Sequence, residues 1–309
     1  MVVACDLPAA GIELLGGCLV VESADGAPDR TWLVEHCAGA EAIVADTSIP
    51  VDAELLDAAG GLLEVIASFG VGYDNIDLEA ARVRGVRVTN TPRVLTGATA
   101  ELAVALMLAA GRRIIEADSM VRRERWPRSG ERFLGRELAG ATVGLVGFGR
   151  IARRVSELLA PFGVRLVYTA RSGSPAQPGV ERHDLDDLLG FADFVSVHVP
   201  LTPETRHLID ARALATMQRG AILVNTSRGA VVDTVALVHA LRSGQLGAAG
   251  LDVFEDEPHV PLALRELPNT VLLPHIGSAT VATRDAMARL CAENVIAVIE
   301  GREPPAPVV

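Results

Sequence analysis

The sequence predicts an α/β protein built on two parallel β-sheets covered by helices. Short runs rich in Val, Ile and Leu alternate with segments of helical apolar spacing, a pattern typical of buried parallel strands. The runs form two sets, and a chain of 309 residues has the length of about two domains. We therefore expect two domains, with a cleft between them as the place for a ligand.

The strand-like runs of the first set are Val2–Cys5, Cys18–Val21, Ala42–Ala45, Glu64–Phe69 and Arg87–Thr89. A helix is predicted within this set over Asp52–Ala59. The second and stronger set comprises Thr142–Val146, Arg165–Thr169, Phe194–Val199, Ala221–Asn225, Gly250–Phe254 and Val271–Pro274. Helical segments separate most of these runs, so the second set predicts a complete doubly wound sheet.

Two further helices are predicted outside the sheets. Thr99–Glu124 is apolar almost all round in its first half and predicts one long buried helix joining the domains. Val281–Glu300 has helical apolar spacing and is expected to return to the first domain. The expected domains are residues 1–93 with 284–309, discontinuous, and residues 94–283. The closing PPAPVV is expected to be a frayed tail.

Charge and cysteine usage narrow the class of protein. With 39 acidic and 28 basic residues the net charge is −11, which repels phosphate backbones and anionic lipid surfaces. Nucleic acid and membranes are therefore not expected partners. The four cysteines have no metal-type spacing, and no apolar run has the length of a bilayer span. We expect a cytoplasmic protein without a metal site.

A glycine-rich turn follows the first strand of the second set. The strand Thr142–Val146 leads into GFGRIA, and a helical segment follows at once. In this order Gly147 permits the tight turn, Gly149 lets the backbone approach a pyrophosphate, and Ala152 allows close packing of helix on strand. The segment predicts a dinucleotide-binding domain, although an isolated glycine triplet also occurs in ordinary turns.

The end of the next strand bears on the choice of dinucleotide. An acidic residue at this position would hold the ribose 2′-hydroxyl of NAD, but the sequence reads Tyr168-Thr169-Ala170-Arg171-Ser172. Arg171 and Ser172 supply a cation and a hydroxyl donor suited to a 2′-phosphate. We expect NADP(H) to be preferred, with NAD(H) as the alternative; the competing interpretation of Arg171 is an ordinary surface arginine.

The last three strands of the second set each lead to a chemically distinct side chain, namely Arg228, Glu257 and His275. Ligands of open parallel sheets bind beyond the carboxyl ends of the strands, so these three groups are expected to meet at one edge. Taken singly, each has an ordinary alternative: a surface ion pair, a solvated acidic turn and a core histidine. Their coincidence at adjacent strand ends favours a common site.

The three groups match the needs of carbonyl reduction by a hydride donor. The planar fork of Arg228 suits a substrate carboxylate and can also polarise a 2-oxo group. Histidine titrates near neutrality, so His275 can deliver a proton to the carbonyl oxygen. A carboxylate such as Glu257 behind the ring would orient it and favour the imidazolium.

Four segments in this order, VGLVGFGRIA, NTSRGAVVD, AAGLDVFEDEP and LLPHIGSAT, resemble the signatures of the D-isomer-specific 2-hydroxyacid dehydrogenases. The resemblance extends through VIASFGVGYDNID, VTNTP and VLTGATAELAVALMLA and covers roughly residues 42 to 300. Within the family, FGVGYDN and YTARSG are similar to glyoxylate and hydroxypyruvate reductases, which commonly take NADPH. The resemblance implies a Rossmann cofactor domain and a smaller flavodoxin-like α/β substrate domain.

The resemblance also implies roles for individual residues. The N–H groups of Val71 and Gly72 would hold the substrate carboxylate beside Arg228. Arg228, Glu257 and His275 match the catalytic trio of the family without substitution. The positions implied for the cofactor are Thr99 near the nicotinamide or its phosphate, Arg150 and Ile151 at the pyrophosphate, Pro200 and Thr205 on the adenosine side, and Thr226, Asp252, His275 and Ser278 around the nicotinamide.

These observations predict NAD(P)H-dependent reduction of a small 2-oxo acid, of the glyoxylate or hydroxypyruvate type, to the D-2-hydroxy acid. A homodimer is expected from the resemblance and from the apolar segment Thr99–Leu108. The nearest alternative is a phosphorylated or phosphonate 2-hydroxy acid substrate, because the carboxylate-binding elements do not select the distal group. Formate and phosphite oxidation are disfavoured, since Glu257 replaces the usual glutamine and Ser68–Asn75 contains no lysine. A dinucleotide-sensing scaffold is the non-enzymatic alternative and would show no turnover.

Overall fold

The computed structural model describes residues 1–16, 21–22, 28–126, 134–171 and 176–309. The chain forms two compact units. One unit consists of Met1–Leu95 and Ser278–Val309 and is called here the discontinuous unit. The other, the continuous unit, is Thr96–Gly277. Within the described ranges, no helix is long and apolar enough to cross a membrane.

The described part of the discontinuous unit contains a parallel sheet of five strands in the order β2-β1-β3-β4-β5. This order matches the predicted flavodoxin-like fold. The strands are β1 Val2–Ala4, β2 Val21–Glu22, β3 Ala42–Ala45, β4 Val65–Ser68 and β5 Arg87–Thr89. The helices that precede the continuous unit are α1 Ala9–Ile12, α2 Arg30–His36, α3 Ala53–Ala59 and α4 Leu78–Val83.

Aspartate side chains determine where three of these helices begin. Asp29, Asp52 and Asp77 stand immediately before α2, α3 and α4, and each carboxylate accepts a hydrogen bond from a backbone N–H of the first turn. Such a cap satisfies a donor that the helix itself leaves unpaired and contributes about 1 kcal/mol. The short helices between strands are therefore fixed by local chemistry as well as by packing.

The described residues of the continuous unit form a parallel sheet of seven strands in the order β12-β11-β10-β9-β6-β7-β8. The strands are β6 Thr142–Val146, β7 Arg165–Thr169, β8 Val180–Arg182, β9 Phe194–Val197, β10 Ala221–Asn225, β11 Leu246–Leu251 and β12 Thr270–Leu272. The helices are α5 Thr96–Gly111, α6 Ile114–Arg122, α7 Arg150–Leu159, α8 Leu185–Phe191, α9 Ala211–Thr216, α10 Thr234–Arg242 and α11 Leu262–Arg265, with 3₁₀ turns at Ala160–Phe162 and Gly229–Val231.

Apolar cores on both faces of this second sheet confirm the predicted doubly wound fold. One core packs α5 and α7 against strand residues such as Leu145 and Val224. The opposite core packs α8, α9 and α10 against strand residues such as Val195 and Leu223. Because both faces are covered, the strands are nearly continuous apolar runs, which made them visible in the sequence.

The predicted strands of this unit need two corrections: one strand was missed and one had the wrong limits. The sequence did not indicate β8, because Val180–Arg182 is short and two of its three residues are charged and exposed. The predicted strand Gly250–Phe254 is instead β11, which covers Leu246–Leu251. Small residues compose much of β11 because α5 packs closely on it; a Cβ on Gly250 would lie 3.0 Å from the Cβ of Leu106.

The prediction of one long buried helix over Thr99–Glu124 was wrong. The helix α5 ends at Gly111, Arg113 adopts a left-handed φ of 53°, and α6 starts afresh at Ile114. Half of the residues of α5 are buried, whereas no residue of α6 is. The change from apolar to charged sequence after Gly111 therefore marks a break between helices.

The chain returns to the discontinuous unit in α12, Val281–Ile299. The thiol of Cys291 on this helix donates to the carbonyl oxygen of Ser68, which ends β4. The last residues are ordered, so the prediction of a frayed tail was wrong: Val308 donates to the Val88 carbonyl at 2.7 Å, and Val88 donates to the Val309 carbonyl at 2.9 Å. These bonds extend the sheet beyond β5 with an antiparallel segment.

Candidate active site

The glycine-rich turn joins β6 to α7 as the sequence predicted. Gly147 has a φ of 90°, and a Cβ there would lie 2.8 Å from Cγ1 of Val199. Only glycine satisfies both constraints without strain. Gly149 is the N-cap residue of α7 with no side-chain cap, and a Cβ at this position would meet no atom within 4 Å. The N-terminus of α7 therefore has no side-chain cap and has open space beside Gly149, where a phosphate would be stabilised by the helix dipole.

Arg150 and Ile151 form the start of α7. Arg150 is exposed, Ile151 is half-buried, and Ala152 is fully buried against the sheet. The neighbouring Phe148 stacks on Tyr168 with ring centroids 4.0 Å apart, and the guanidinium of Arg153 lies 4.4 Å from the Phe148 ring centroid. Aromatic packing therefore supports the turn, and Arg150 beside it remains exposed.

The end of β7 carries the residues expected to distinguish the two dinucleotides. Ala170 follows the strand and is half-buried, and Arg171 is exposed. The pKa of Glu204, in the loop after β9, lies below its usual range. The hydrogen bond with the Thr202 side chain is the largest cause, the backbone of Glu204 follows, and the charge of Arg171 adds a smaller effect. Ser172 lies outside the described residues.

The loop after β9 is braced by its own hydroxyl groups. The Oγ1 atom of Thr205 donates to the carbonyl of Pro200 at 2.6 Å and accepts from the N–H of Thr202 at 2.8 Å. Pro200 is exposed and Thr205 is half-buried. These bonds give the Thr205 hydroxyl a role within the loop, so its expected contact on the adenosine side remains a proposal.

The predicted pair of His275 and Glu257 is in direct contact. Nδ1 of His275 lies 2.7 Å from Oε2 of Glu257, and Oε1 of the same carboxylate accepts the N–H of Phe254 at 2.9 Å. Burial alone would raise the pKa of Glu257, but the hydrogen bond and charge of His275, with a smaller effect of Arg228, hold it below its usual value. Glu257 is therefore ionised at neutral pH and fixes the orientation of the ring.

Asp252 fixes the loop on which His275 stands. Its two carboxylate oxygens accept the N–H groups of Ile276 and Gly277 at 2.7 and 2.8 Å, and its carbonyl accepts the N–H of His275 at 2.8 Å. His275 itself has a left-handed φ of 54°. Burial raises the pKa of Asp252 above its ordinary value, although the two N–H donors and His275 oppose that shift. The carboxylate thus positions the imidazole through the backbone.

Arg228 is held by the side chain at the end of β10. The Asn225 amide donates to the Arg228 carbonyl at 2.9 Å and accepts both the N–H and the hydroxyl of Ser227. Gly229 passes so close to the next strand end that a Cβ there would lie 1.8 Å from the carbonyl carbon of Phe254. The loop after β10 is thereby pressed against the loop of Glu257, and the three predicted catalytic residues share one edge of the continuous unit.

The residues expected near the nicotinamide fit a bound group. The hydroxyl of Thr226 is buried without a hydrogen-bond partner among the described residues, so it can serve a ligand. The hydroxyl of Thr99, in the first turns of α5, donates to the Gly277 carbonyl at 3.1 Å and so lies at the loop of His275. Ser278 follows Gly277 in the chain and is half-buried. With the open helix end at Gly149, these features fit a dinucleotide.

In the discontinuous unit, Val71 and Gly72 lie in the turn after β4. The carbonyl of Val71 accepts the Asn90 side-chain amide at 2.8 Å, and the carbonyl of Gly72 accepts the Ser68 hydroxyl at 3.1 Å. Within the described residues neither N–H group has an acceptor. Both N–H groups are therefore available to an anionic ligand.

Several positioning residues were missed by sequence reasoning. Asn90 is itself held by Asn294 of α12, which donates to the Asn90 carbonyl at 3.1 Å and accepts the N–H of Ala306 at 2.9 Å. Ser68 and Asn225 act in the same indirect way at β4 and β10. A polar residue at the carboxyl end of a buried strand was the signal available for Ser68, Asn90 and Asn225. No pattern in the sequence indicated Asn294, which lies on a helix far along the chain.

Fold and site together define an oxidoreductase of the nicotinamide-dinucleotide class, with a carboxylate-oriented histidine and an arginine at the edge of a Rossmann sheet. Residues 104–277 match the family model described as D-isomer specific 2-hydroxyacid dehydrogenase, NAD binding domain. The chain belongs to the D-isomer specific 2-hydroxyacid dehydrogenase family.

Individual relatives agree with this assignment. The chain is 49% identical over 287 residues to the glyoxylate reductase of Thermococcus litoralis, covering 90% of this chain and 86% of the relative. A crystal structure of a Thermus thermophilus protein superposes with a TM-score of 0.93 at 46% identity, covering 100% and 99% of the two chains. The Sinorhizobium meliloti NADPH-dependent glyoxylate/hydroxypyruvate reductase, crystallised with NADP and malonate, gives a TM-score of 0.88 at 36% identity, covering 100% and 96%.

Proposed function

We propose that the protein reduces a 2-oxo acid of the glyoxylate or hydroxypyruvate type to the D-2-hydroxy acid, with NADPH preferred over NADH. The observation that carries the proposal is the His275–Glu257 pair at 2.7 Å on the same sheet edge as Arg228. An acid–base imidazole beside a guanidinium is the minimal apparatus for protonating a carbonyl oxygen next to a carboxylate. The similarity to glyoxylate reductases supports the small substrate.

The roles of the residues follow from their contacts. The dinucleotide, when bound, supplies the hydride to the carbonyl carbon. Nδ1 of His275 is occupied by Glu257, so Nε2 is the ring atom that gives its proton to the carbonyl oxygen. The anionic Glu257 stabilises the imidazolium before that transfer. Arg228 holds the substrate carboxylate and polarises the 2-oxo group, and the N–H groups of Val71 and Gly72 are proposed to bind carboxylate oxygens as well.

The same assignment gives a role to each unit. The continuous unit is proposed as the cofactor domain, because the open end of α7 lies in it. The discontinuous unit is proposed as the substrate domain, because it contains the free N–H groups of Val71 and Gly72. The predicted domain limits, 1–93 with 284–309 and 94–283, are kept as part of this proposal.

The preference for NADPH rests on Ala170 and Arg171. No acidic side chain occupies the position of Ala170, and the exposed Arg171 follows it. One or two charge-assisted contacts of about 1.5–3 kcal/mol correspond to a preference of about 10- to 100-fold or more. The NADPH-dependent relative from Sinorhizobium meliloti supports the choice. Ser172 is included in the proposed 2′-phosphate site from the sequence alone.

Steady-state rates with glyoxylate, hydroxypyruvate and pyruvate, each with NADPH and NADH, test the proposal. The expected result is turnover of at least one of the three acids with a kcat/KM at least tenfold higher for NADPH. The double variant Ala170→Asp, Arg171→Ala should reverse the preference, with Arg154→Ala as the control because Arg154 pairs with Glu157 on the surface of α7. A parent enzyme that prefers NADH would contradict the cofactor choice and leave the reaction in place. No turnover of any 2-oxo acid would contradict the reaction itself.

We also propose a homodimer, on a different surface from the one expected. The segment Thr99–Leu108 is largely buried within its own unit and offers little surface for association. Exposed apolar side chains instead cluster in and after α6, with Ile115 exposed by 51% and Trp126 by 76%. A polar substitution, Ile115→Glu, should convert a dimer into a monomer in light scattering, and a monomeric parent would contradict the proposal. Cytoplasmic location is proposed from the buried free thiols Cys5, Cys37 and Cys291.

A further inference from the structure

The strand β8, which the sequence did not indicate, brings a second arginine to the dinucleotide edge. It pairs in parallel with β7, and Arg182 is in register with Tyr168. Parallel strands end at the same edge of a sheet, so Arg182 lies beside the segment in which Ala170 and Arg171 follow β7. This part of the edge thus contains two arginines from neighbouring strands.

A backbone hydrogen bond anchors Arg182 at this place. Its Nη2 atom donates to the carbonyl oxygen of Ala170 at 2.9 Å, directly before Arg171. A guanidinium has five N–H donors, and this bond uses one of them. A carbonyl carries no net charge, so the anchor fixes the position of the cation without neutralising it.

The contrast with Arg165 shows that the charge of Arg182 is not neutralised by an ion pair. Arg165, at the opposite end of β7, is neutralised by Glu181 at 2.6 Å, whereas Arg182 has no carboxylate within ion-pair distance in the described part of the chain. The protein as a whole carries a net charge of −11. An anchored, unneutralised cation at a proposed ligand site favours an anion.

We infer that Arg182 is a second recognition group for the 2′-phosphate of the dinucleotide, acting together with Arg171. The inference rests on the proposed preference for NADPH. The ligand chemistry is a phosphate monoester on a ribose 2′-oxygen, which offers three acceptor oxygens to two guanidinium groups. Glu204 is the nearby opposing charge, since its pKa is lowered in part by Arg171, and a bound 2′-phosphate competes with it for that cation.

Calorimetric binding of NADP⁺ and NAD⁺ without a 2-oxo acid tests the inference, because the two ligands differ only in the 2′-phosphate. The variant Arg182→Ala should bind NADP⁺ about 10-fold or more weakly than the parent and bind NAD⁺ unchanged. Arg182→Lys should recover only part of the loss, since an ammonium lacks the fork. The matched control is Arg165→Ala, which removes an arginine of the neighbouring strand and should leave both affinities unchanged.

The outcomes separate this inference from the proposal on which it rests. If the parent binds NAD⁺ as tightly as NADP⁺, the cofactor proposal fails and Arg182 has no 2′-phosphate to bind. If the parent prefers NADP⁺ and Arg182→Ala keeps that preference, the inference alone is overturned. An equal loss of affinity for both ligands also overturns the inference, whether or not the melting temperature falls, because Arg182 would then only brace the Ala170 carbonyl.

Discussion

The two sheets present different chemistry at the edge where their strands end. In the continuous unit this edge carries Arg228, Glu257 and His275, whose groups are charged or change their protonation state. In the discontinuous unit the turn after β4 offers the neutral N–H groups of Val71 and Gly72. The supporting groups differ in the same way: a carboxylate, Asp252, braces the His275 loop, whereas a hydroxyl and an amide brace the turn after β4.

Under the proposed function, the continuous unit carries out proton transfer and charge recognition, and the discontinuous unit provides neutral positioning. Hydrogen bonds with an ionised partner contribute about 1.5–3 kcal/mol, whereas neutral ones, such as that from the Asn90 amide to the Val71 carbonyl, contribute about 0.5–1.5 kcal/mol. Substitutions on the edge of the continuous unit should therefore have larger effects than substitutions that support the turn after β4. The experiments below test that order, beginning with the largest expected effect.

The largest effect is expected for His275→Asn. Removal of the acid–base group should lower kcat by about 10²- to 10⁴-fold. Asparagine is chosen because it tolerates the left-handed φ of 54° better than alanine. NADPH affinity should be unchanged, since Asp252 holds this loop through the N–H groups of Ile276 and Gly277. Full activity in stopped-flow and steady-state assays would remove His275 from the mechanism.

Arg228→Ala should follow, with kcat/KM lowered by about 10- to 100-fold or more, through loss of one or two charge-assisted hydrogen bonds. The loop should keep its shape because Asn225 holds it through the backbone carbonyl of residue 228. Arg228→Lys keeps the positive charge but lacks the planar fork, so it should restore little of the lost kcat/KM. A lysine variant with parental kinetics would show that charge alone suffices.

A smaller effect on stability is expected from the second histidine near this edge, His198. The Nε2 atom of its ring is buried without a hydrogen-bond partner in the described structure, and desolvation lowers the pKa of His198 to about 4. Since the unfolded chain binds a proton near pH 6.5 and the folded protein does not, stability is lost as pH falls from about 6.5 to about 4. The free energy of unfolding, measured by denaturant titration, should be about 2 kcal/mol lower at pH 5 than at pH 7 because of this group.

The control for that measurement is His198→Asn, in which this part of the pH dependence should vanish. Carboxylates with lowered pKa, such as Glu257, lose their stabilisation only at lower pH, so they affect parent and variant equally between pH 7 and pH 5. An identical pH dependence in both proteins would show that folding does not lower the pKa of His198.

The smallest effect is expected in the discontinuous unit. Asn90→Ala leaves the Val71 carbonyl without its side-chain donor and should raise the KM of the 2-oxo acid by about 3- to 10-fold, with kcat little changed. Asn269→Ala is a matched control, because it removes amide-to-carbonyl bonds to Leu241 and Gly247 away from the site. An effect of Asn90→Ala as large as that of Arg228→Ala would break the comparison between the two edges.

Most of the fold was accessible from the sequence because both sheets are parallel and buried. Strands such as Ala42–Ala45 and Thr142–Val146 have the predicted limits. The errors occurred where packing depends on other elements: β8 lacks an apolar run, and β11 uses Gly and Ala to admit α5. The ordered tail was missed because its partner strand, β5, lies about 200 residues earlier in the sequence, and no local pattern reports such pairing.

The site was predictable where it depends on charged side chains at strand ends. His275 and Glu257 were predicted to meet, and the structure places them 2.7 Å apart. Contacts that depend on backbone groups left no comparable signal, since any residue has an N–H and a carbonyl. The support of the turn after β4 by Asn294 could not be inferred for the same reason, because it acts on the carbonyl of Asn90.

The discontinuity of the first unit imposes an order in time on the newly made protein. Residues Ser278–Val309 supply α12 and the strand partner of β5, and they leave the ribosome after the whole of Thr96–Gly277. The continuous unit can therefore fold during synthesis. The discontinuous unit has an unpaired strand, β5, and an uncovered apolar face until residues 278–309 have been made. The nascent amino-terminal segment therefore exposes this edge and this face until the last residues of the unit have been made.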